Sequence, residues 1–291
     1  MRAAKVKAYS KSKFLVKMRI APSVALVVAT AYAVIALVPV AWMFLNSLKS
    51  NDEIFANPFI LPSVPRWINY LKAWNDVGMG RSFLNSTLIV LCAVPAVVLL
   101  SAATSFTLSR IQFRGREFLL WLFLSGLMIP LLLGLVPLFA LLNSLGLLSS
   151  YQGLFLTYLP FQLPFTIYLL YPFFKTLPRE LEEAAIMDGC SLFGVFWRVM
   201  LPLAQPGLVT AAIFNFLQLW NEYILALIIM TKPELRTLPV AIGKMFFRQF
   251  YLGDYGVIFA SLVIALTPVL LIYAFFHQRV IAGMRIGALK G

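Results

Sequence analysis

Long apolar runs, each holding a proline and separated by shorter polar stretches, organise this chain. Six stand out, at about 22–45, 84–108, 118–142, 151–174, 203–230 and 257–277. A bilayer crossing takes roughly 20 apolar residues, so every run is long enough to span one. None alternates with the period of two that a membrane β-strand needs. Backbone groups in lipid must find partners within the protein, and continuous runs therefore predict helices. The pattern predicts an all-α, polytopic membrane protein with six transmembrane helices. They form one membrane domain over 22–277, between a basic tail at 1–21 and a C-terminal tail at 278–291. Pro39, Pro95, Pro130, Pro160, Pro206 and Pro268 fall one in each run. Their predicted role is a kink that helps packing, since neighbouring helices can satisfy the freed carbonyls.

Three segments between the runs are long enough to fold. In 46–83, "NDEIFANP" predicts a capped turn or short helix stopped at Pro58. Trp67, Tyr70 and Trp74 follow at spacings of three and four, one apolar helix face suited to the headgroup layer or to an external protein. The segment 231–256 is rich in turn residues and predicts an external loop. The third, 175–202, carries the unusual chemistry.

Charge then sets orientation. The chain has 24 Lys and Arg against 11 Asp and Glu. With the N-terminus inside, 16 of the 24 basic residues fall on the cytoplasmic side, seven of them ahead of the first run. That asymmetry predicts both termini in the cytoplasm. The first apolar stretch, about 22 residues, exceeds the 7–15 of a secretory signal and predicts an uncleaved anchor. A basic cytoplasmic face opposite anionic lipid accounts for the net charge of +13 without a nucleic-acid partner. Cys92 inside a run and Cys190 in a cytoplasmic loop predict no disulfide, and no metal-ligand spacing occurs.

Against this basic background, Glu180, Glu182, Glu183 and Asp188 place four of the eleven acids within nine positions. Thr176 is a candidate cap, Pro178 suits a first turn, and acids early in the helix complement its dipole. Leu181, Ala184, Ala185 and Asp188 are helical neighbours, and the two alanines leave a slim surface. Gly189 predicts the stop. Ser191 can cap a second short helix, "LFGVFWRVM", apolar along Phe193, Phe196, Trp197 and Met200. Two angled helices, the first acidic and thin, suit either a cleft in a basic partner or an interfacial linker with solvated acids.

Glu183, Ala184, Ala185, Gly189, Val199, Leu201 and Pro202 resemble the EAA-x3-G-x9-I-x-LP loop of ABC importer permeases, with Val199 where isoleucine is usual. Further stretches are similar to carbohydrate permeases of the kind represented by the shorter permease of the maltose transporter. These are Ser47–Lys49 with Glu53–Phe55, Asn69–Tyr70, Phe83–Ser86, Trp220–Tyr223, Thr237–Val240 and the tail "QRVIAGMRIGALKG". The resemblance implies a permease half that imports a carbohydrate (an oligosaccharide, a sugar or a polyol phosphate) by alternating access. It also implies a homologous second permease, two copies of an ABC ATPase, and an extracytoplasmic sugar-binding protein in a prokaryotic inner membrane. ATP and Mg would be bound by the ATPase, with no cofactor in this chain, which is a transport subunit and not itself an enzyme. Glu182, Glu183, Ala184, Ala185, Asp188 and Gly189 would dock that ATPase, and Gln278, Arg279, Gly287 and Lys290 of the tail would touch it. The chain has no G-x-x-x-x-G-K-[ST] loop of its own.

Glu222 is the one acid within a span core, where an ionisable group marks a functional site by default. It either faces the substrate path or is a structural acid bonded to a neighbouring helix with Asn221. Asn215 and Gln218, seven and four residues earlier, predict a polar stripe with it along the path. Tyr158, Phe161 and Phe165 are candidates to stack on sugar rings. Two other classes have different requirements. An ion-coupled secondary transporter would want paired intramembrane charges and an internal repeat. An intramembrane enzyme would want a nucleophile–base or metal set. An ABC permease for a non-sugar solute also fits the loop.

Overall fold

The computed structural model describes the backbone of residues 2–288 and the side chains of residues 25–246 and 253–276. Helix α1 runs Arg2–Ser47, and α2 is the short Asn51–Ala56. The spanning helix α3, Met79–Arg110, is followed by α4, Arg116–Ser125, and α5, Leu131–Ser144. Helix α6 is Tyr151–Thr176, α7 the acidic Arg179–Met187, and α8 Leu192–Val195, which continues in helical form to Leu203. Helix α9, Gln205–Trp220, is succeeded by α10, Ile224–Ile229, α11, Leu238–Leu252, and α12, Tyr255–Ala288. Among the described residues, four helices are long and apolar enough to cross a membrane, or six if each of two bent pairs counts as one span.

Those bends depart from the expected continuous spans. The run at 118–142 turns by 99° between the helix ending at Met128 and α5. Ile129 is extended there, with ψ 115°, as the residue before a proline prefers, and Pro130 has no N–H to continue the ladder. The run at 203–230 is broken twice. Leu192–Leu203 meets α9 at 76°, and α9 stops at Trp220, with Asn221–Tyr223 outside either helix. A second correction concerns 231–256: Leu238–Leu252 is a helix, with Pro239 near its start where a missing N–H costs nothing.

The two larger of three core clusters lie along the paired helices α3 and α6. One cluster gathers Ile89, Ala93, Tyr158, Trp220, Ile229 and Leu238. The other gathers Ala102, Phe106, Phe174, Ala185, Phe196 and Met200, and so reaches the acidic helix. Serines 101 and 105 and Ala102 are fully buried on α3, small residues that let helices approach closely where lipid gives no hydrophobic drive. The outward residues of α1 are instead exposed apolar groups, with Leu26, Ile35 and Leu37 each more than 60% exposed. The elbow at Pro130 leaves an apolar crevice of about 480 Å³ between α5 and α6, bordered by Ile129, Leu138, Pro160 and Phe161.

Candidate functional site

The acidic segment is built by local rules. Leu177 and Pro178 are extended (ψ 144° and 134°), and α7 begins at Arg179 with Glu180 and Glu182 in its first turn. Thr176 does not cap it; its hydroxyl donates back to the Phe173 carbonyl at 2.8 Å, within α6. The end of α7 is closed by three backbone bonds. Asp188 N–H donates to Ala184 at 2.9 Å, Gly189 to Ile186 at 2.9 Å, and Cys190 to Ala185 at 3.0 Å. Gly189 adopts φ +84°, the left-handed conformation that ends a helix, and a Cβ there would meet nothing within 4 Å. Ser191 caps α8 as expected, accepting the Gly194 N–H at 3.2 Å.

Helical spacing then sorts the six residues assigned to docking. Glu183, Ala184, Asp188 and Gly189 are exposed. Glu182 and Ala185, three apart and hence on one face, turn inward. Ala185 is buried against the apolar cluster with Val195 and Phe196. Glu182 lies 3.7 Å from the guanidinium of Arg110, its side chain only 14% exposed. The same loop also exposes large apolar side chains, chiefly Met187 (87% exposed), Phe193 and Trp197.

A functional residue that hydropathy and charge counting do not single out is Arg110, one of the basic residues on the cytoplasmic side. Its Nε donates to the Phe174 carbonyl at 3.1 Å, and its Nη2 donates to Phe174 and Leu177, each at 2.5 Å. The apolar run ends at 108 in the sequence, so nothing there marks Arg110; the structure carries α3 on to it.

Around the fifth span the expected polar stripe is not one face. Asn215 is fully buried, donating to the Thr166 hydroxyl at 2.9 Å and to the Ala211 carbonyl at 2.8 Å. Gln218 and Asn221 are exposed. Glu222 lies beyond the helix end, so the i+7 relation to Asn215 does not exist. Its carboxylate accepts the Tyr158 hydroxyl at 2.8 Å and the N–H groups of Leu225 at 2.7 Å and Ala226 at 3.0 Å. Those amides are unpaired donors at the start of α10, and the acid satisfies them as a cap would. Tyr158 is 1% exposed and has no open ring face for a sugar. Phe165 packs edge-to-face on Phe214, while Phe161 stays exposed beside the Pro130 crevice. A hollow of about 330 Å³ lies at the break, bordered by Trp220, Asn221, Tyr223, Pro239 and Ile242.

The opposite end of the bundle is tied down by side chains. Ser50 and Glu53 form a reciprocal capping box on α2, and Glu53 also accepts from the amide and hydroxyl of Ser63. The Ser63 and Ser50 donors hold the Glu53 carboxyl at about 2. Asn51 bonds the Gly253 carbonyl and the Tyr255 amide, and Asn69 donates to the carbonyls of Ser47 and Lys49 at 2.9 and 3.0 Å. Burial pushes the Lys49 ammonium down, with Glu53 partly offsetting it. The tail residues Gln278, Arg279, Gly287 and Lys290 lie outside the described side chains.

Several known proteins share this organisation. Diacetylchitobiose uptake system permease protein NgcG of Streptomyces coelicolor is 41% identical over 259 residues, covering 89% of this chain and 86% of its own. Sulfoquinovosyl glycerol transport system permease protein SmoH of Agrobacterium fabrum is 35% identical, covering 91% and 93%. Trehalose transport system permease protein SugB of Mycobacterium tuberculosis is 34% identical, covering 88% and 93%. A solved bacterial ABC transporter involved in the import of the acidic polysaccharide alginate superposes with a TM-score of 0.78 at 25% identity, over 89% of this chain and 96% of that one. Residues 77–286, from the start of α3 almost to the end of α12, match the model of one family, and with these relatives they show that the chain belongs to the binding-protein-dependent transport system inner membrane components.

Proposed function

We propose that this chain is one permease half of an ATP-driven importer that moves a carbohydrate across the inner membrane of a prokaryote by alternating access. Its acidic helix α7 docks a separate ATPase. The observation that carries the coupling role is the sorting of that helix. Glu183, Ala184 and Asp188 form a slim, acidic outer face, in a loop that also exposes Met187 and Phe193, while Glu182 and Ala185 anchor it from within. A thin anionic knob in a loop with exposed apolar groups suits a socket with basic and apolar walls. ATP and Mg belong to the partner, of which two copies serve a pair of permeases, and an extracytoplasmic binding protein delivers the solute. Both termini lie in the cytoplasm, where the tail residues Gln278, Arg279, Gly287 and Lys290 reach the ATPases.

The carbohydrate class rests on the relatives, whose names specify diacetylchitobiose, trehalose and sulfoquinovosyl glycerol. In the path itself, Gln218 and Asn221 offer exposed amides, Asn221 on the wall of the hollow at the span break, and Glu222 holds that break in shape. Membership of this family removes the footing of the ion-coupled and intramembrane-enzyme readings.

The deciding experiment purifies wild type and Glu183→Arg from native membranes in mild detergent and identifies co-purifying proteins by mass spectrometry. A P-loop ATPase held by wild type and lost from the variant supports the docking role. Equal retention removes Glu183 from the interface, and a wild-type preparation with neither ATPase nor second permease sinks the proposal.

A further inference from the structure

The side chain of Arg110 is 3% exposed, and a buried cation persists only where acceptors enclose it. Here they come from three consecutive elements, a helix end, a linker and a helix, within the nine residues 174–182. The Phe174 carbonyl belongs to the last turn of α6, at the negative end of its dipole, and also accepts the Leu177 N–H at 3.3 Å. The Leu177 carbonyl belongs to the linker that leads into α7. Glu182 belongs to the inner face of α7 itself, 3.7 Å from Nη1. By its own backbone α7 packs chiefly on α8 and the residues up to 200 that follow it. Among the described residues, the Arg110–Glu182 pair is the only ion pair joining the acidic helix to a spanning helix.

We propose that Arg110 is a positioning residue for energy coupling. It clamps the ends of α3 and α6 and the inner face of α7 into one unit, so that a displacement of the acidic helix carries both spans with it. The inference rests on the docking role of α7 and adds how motion leaves that helix. A guanidinium presents five donors in a fixed plane, enough to serve two carbonyls and a carboxylate at once. A lysine ammonium carries its three donors on one nitrogen, where Arg110 uses Nε, Nη1 and Nη2 spread across a plane, so it does not reproduce the same set of contacts.

The test uses the complete transporter in nanodiscs, with its ATPases, second permease and binding protein. Cys92 and Cys190 are replaced by serine, and spin labels are placed at Leu91 on α3 and Arg179 at the start of α7, both exposed. Distances are measured without nucleotide and with ATP and vanadate, in the Arg110 and Glu182 parent and in Arg110→Lys and Glu182→Gln. The expected result is one narrow distance in the parent, unchanged by nucleotide. In both variants it broadens or shifts, and binding-protein-stimulated ATP hydrolysis falls several-fold although the ATPase still co-purifies. A variant distance as narrow as the parent's would overturn the proposal, and so would a parent distance that changes with nucleotide. Loss of the ATPase from Glu182→Gln would overturn it too, by making Glu182 a docking contact instead of an internal one. A parent chain that holds no ATPase at all fails the docking role first, and is recognised before any variant is compared.

Discussion

The hydroxyl of Tyr158 donates to Oε2 of Glu222 at 2.8 Å, and through that bond α6 holds the point where the fifth span breaks. The same carboxylate takes the amides of Leu225 and Ala226, so three donors from two helices converge on it at the break. The acid therefore has a structural task that needs no substrate.

That task predicts how its variants behave. Glu222→Ala leaves three donors unpaired and is expected to lower stability by about 3 kcal/mol, at roughly 1 kcal/mol per buried donor. Tyr158→Phe removes one bond and is expected to cost about 1 kcal/mol, the usual size within membranes. Thermal unfolding in nanodiscs reads both, and the double variant is expected to cost less than the sum because the bond is shared. A Glu222 that instead contacted solute would leave the melting temperature near wild type.

Gly189 is the elbow of the acidic loop, and its constraint is backbone alone. With φ +84° and open space around a would-be Cβ, Gly189→Ala is expected to cost about 1–2 kcal/mol from the left-handed conformation, with no steric addition. Asparagine tolerates that conformation better, so Gly189→Asn is expected to be the milder change. The ranking Gly, Asn, Ala in the amount of ATPase co-purified with the chain would check it. An equal loss for both variants would point to side-chain crowding by the partner instead.

The spans and the acidic helix were legible because hydropathy and capping are local. The six apolar runs, the capping box at Ser50 and the Ser191 cap all follow from neighbours a few residues apart. What the sequence hid depends on distant partners or on direction. Hydropathy does not distinguish Pro130, which sits at a 99° bend, from Pro95 or Pro160, which lie within unbroken helices. The inner and outer faces of α7 were readable as faces, but which one turned inward depends on Arg110, 72 positions before Glu182. Glu222 was legible as an acid within a span, with a bond to a neighbouring helix as one of its two readings. The polar stripe drawn from it to Asn215 was not sound, because the helix expected to carry that stripe ends two residues short of Glu222.

Two helical glycines are predicted to respond in opposite directions to the same substitution. A Cβ on Gly256 would lie 2.5 Å from Asn69 Nδ2 and 2.7 Å from the Lys49 carbonyl, part of the knot that ties the 46–83 segment to α12. Gly256→Ala is expected to destabilise by about 1–3 kcal/mol through overpacking, despite the better helix propensity of alanine. Gly134, inside α5, meets nothing within 4 Å, and Gly134→Ala is expected to stabilise the isolated chain by up to about 1 kcal/mol. Paired melting curves would decide, and a stabilising Gly256→Ala would mean that Asn69 moves aside freely.

Glu53 sets an acid limit on the same knot. Its carboxyl lies at about 2 in the fold, against an ordinary 4.5, chiefly through the Ser63 hydroxyl, with the Ser50 and Ser63 amides adding to it. A carboxylate held lower in the folded state binds fewer protons there than in the unfolded chain, so it contributes stability above about pH 4.5. That contribution is lost progressively as pH falls from about 4.5 towards 2. The expected outcome is a melting temperature that declines over this window in wild type, and less steeply in Glu53→Gln, which keeps an acceptor but cannot titrate. Ser63→Ala removes the leading donor and raises the folded-state value, so its decline is expected to begin at the same pH as wild type but to be smaller and to end at higher pH. Proteolysis of the 46–83 segment, followed by mass spectrometry across the same range, would locate the change. Identical pH profiles for wild type and Glu53→Gln would remove this carboxylate from the acid response.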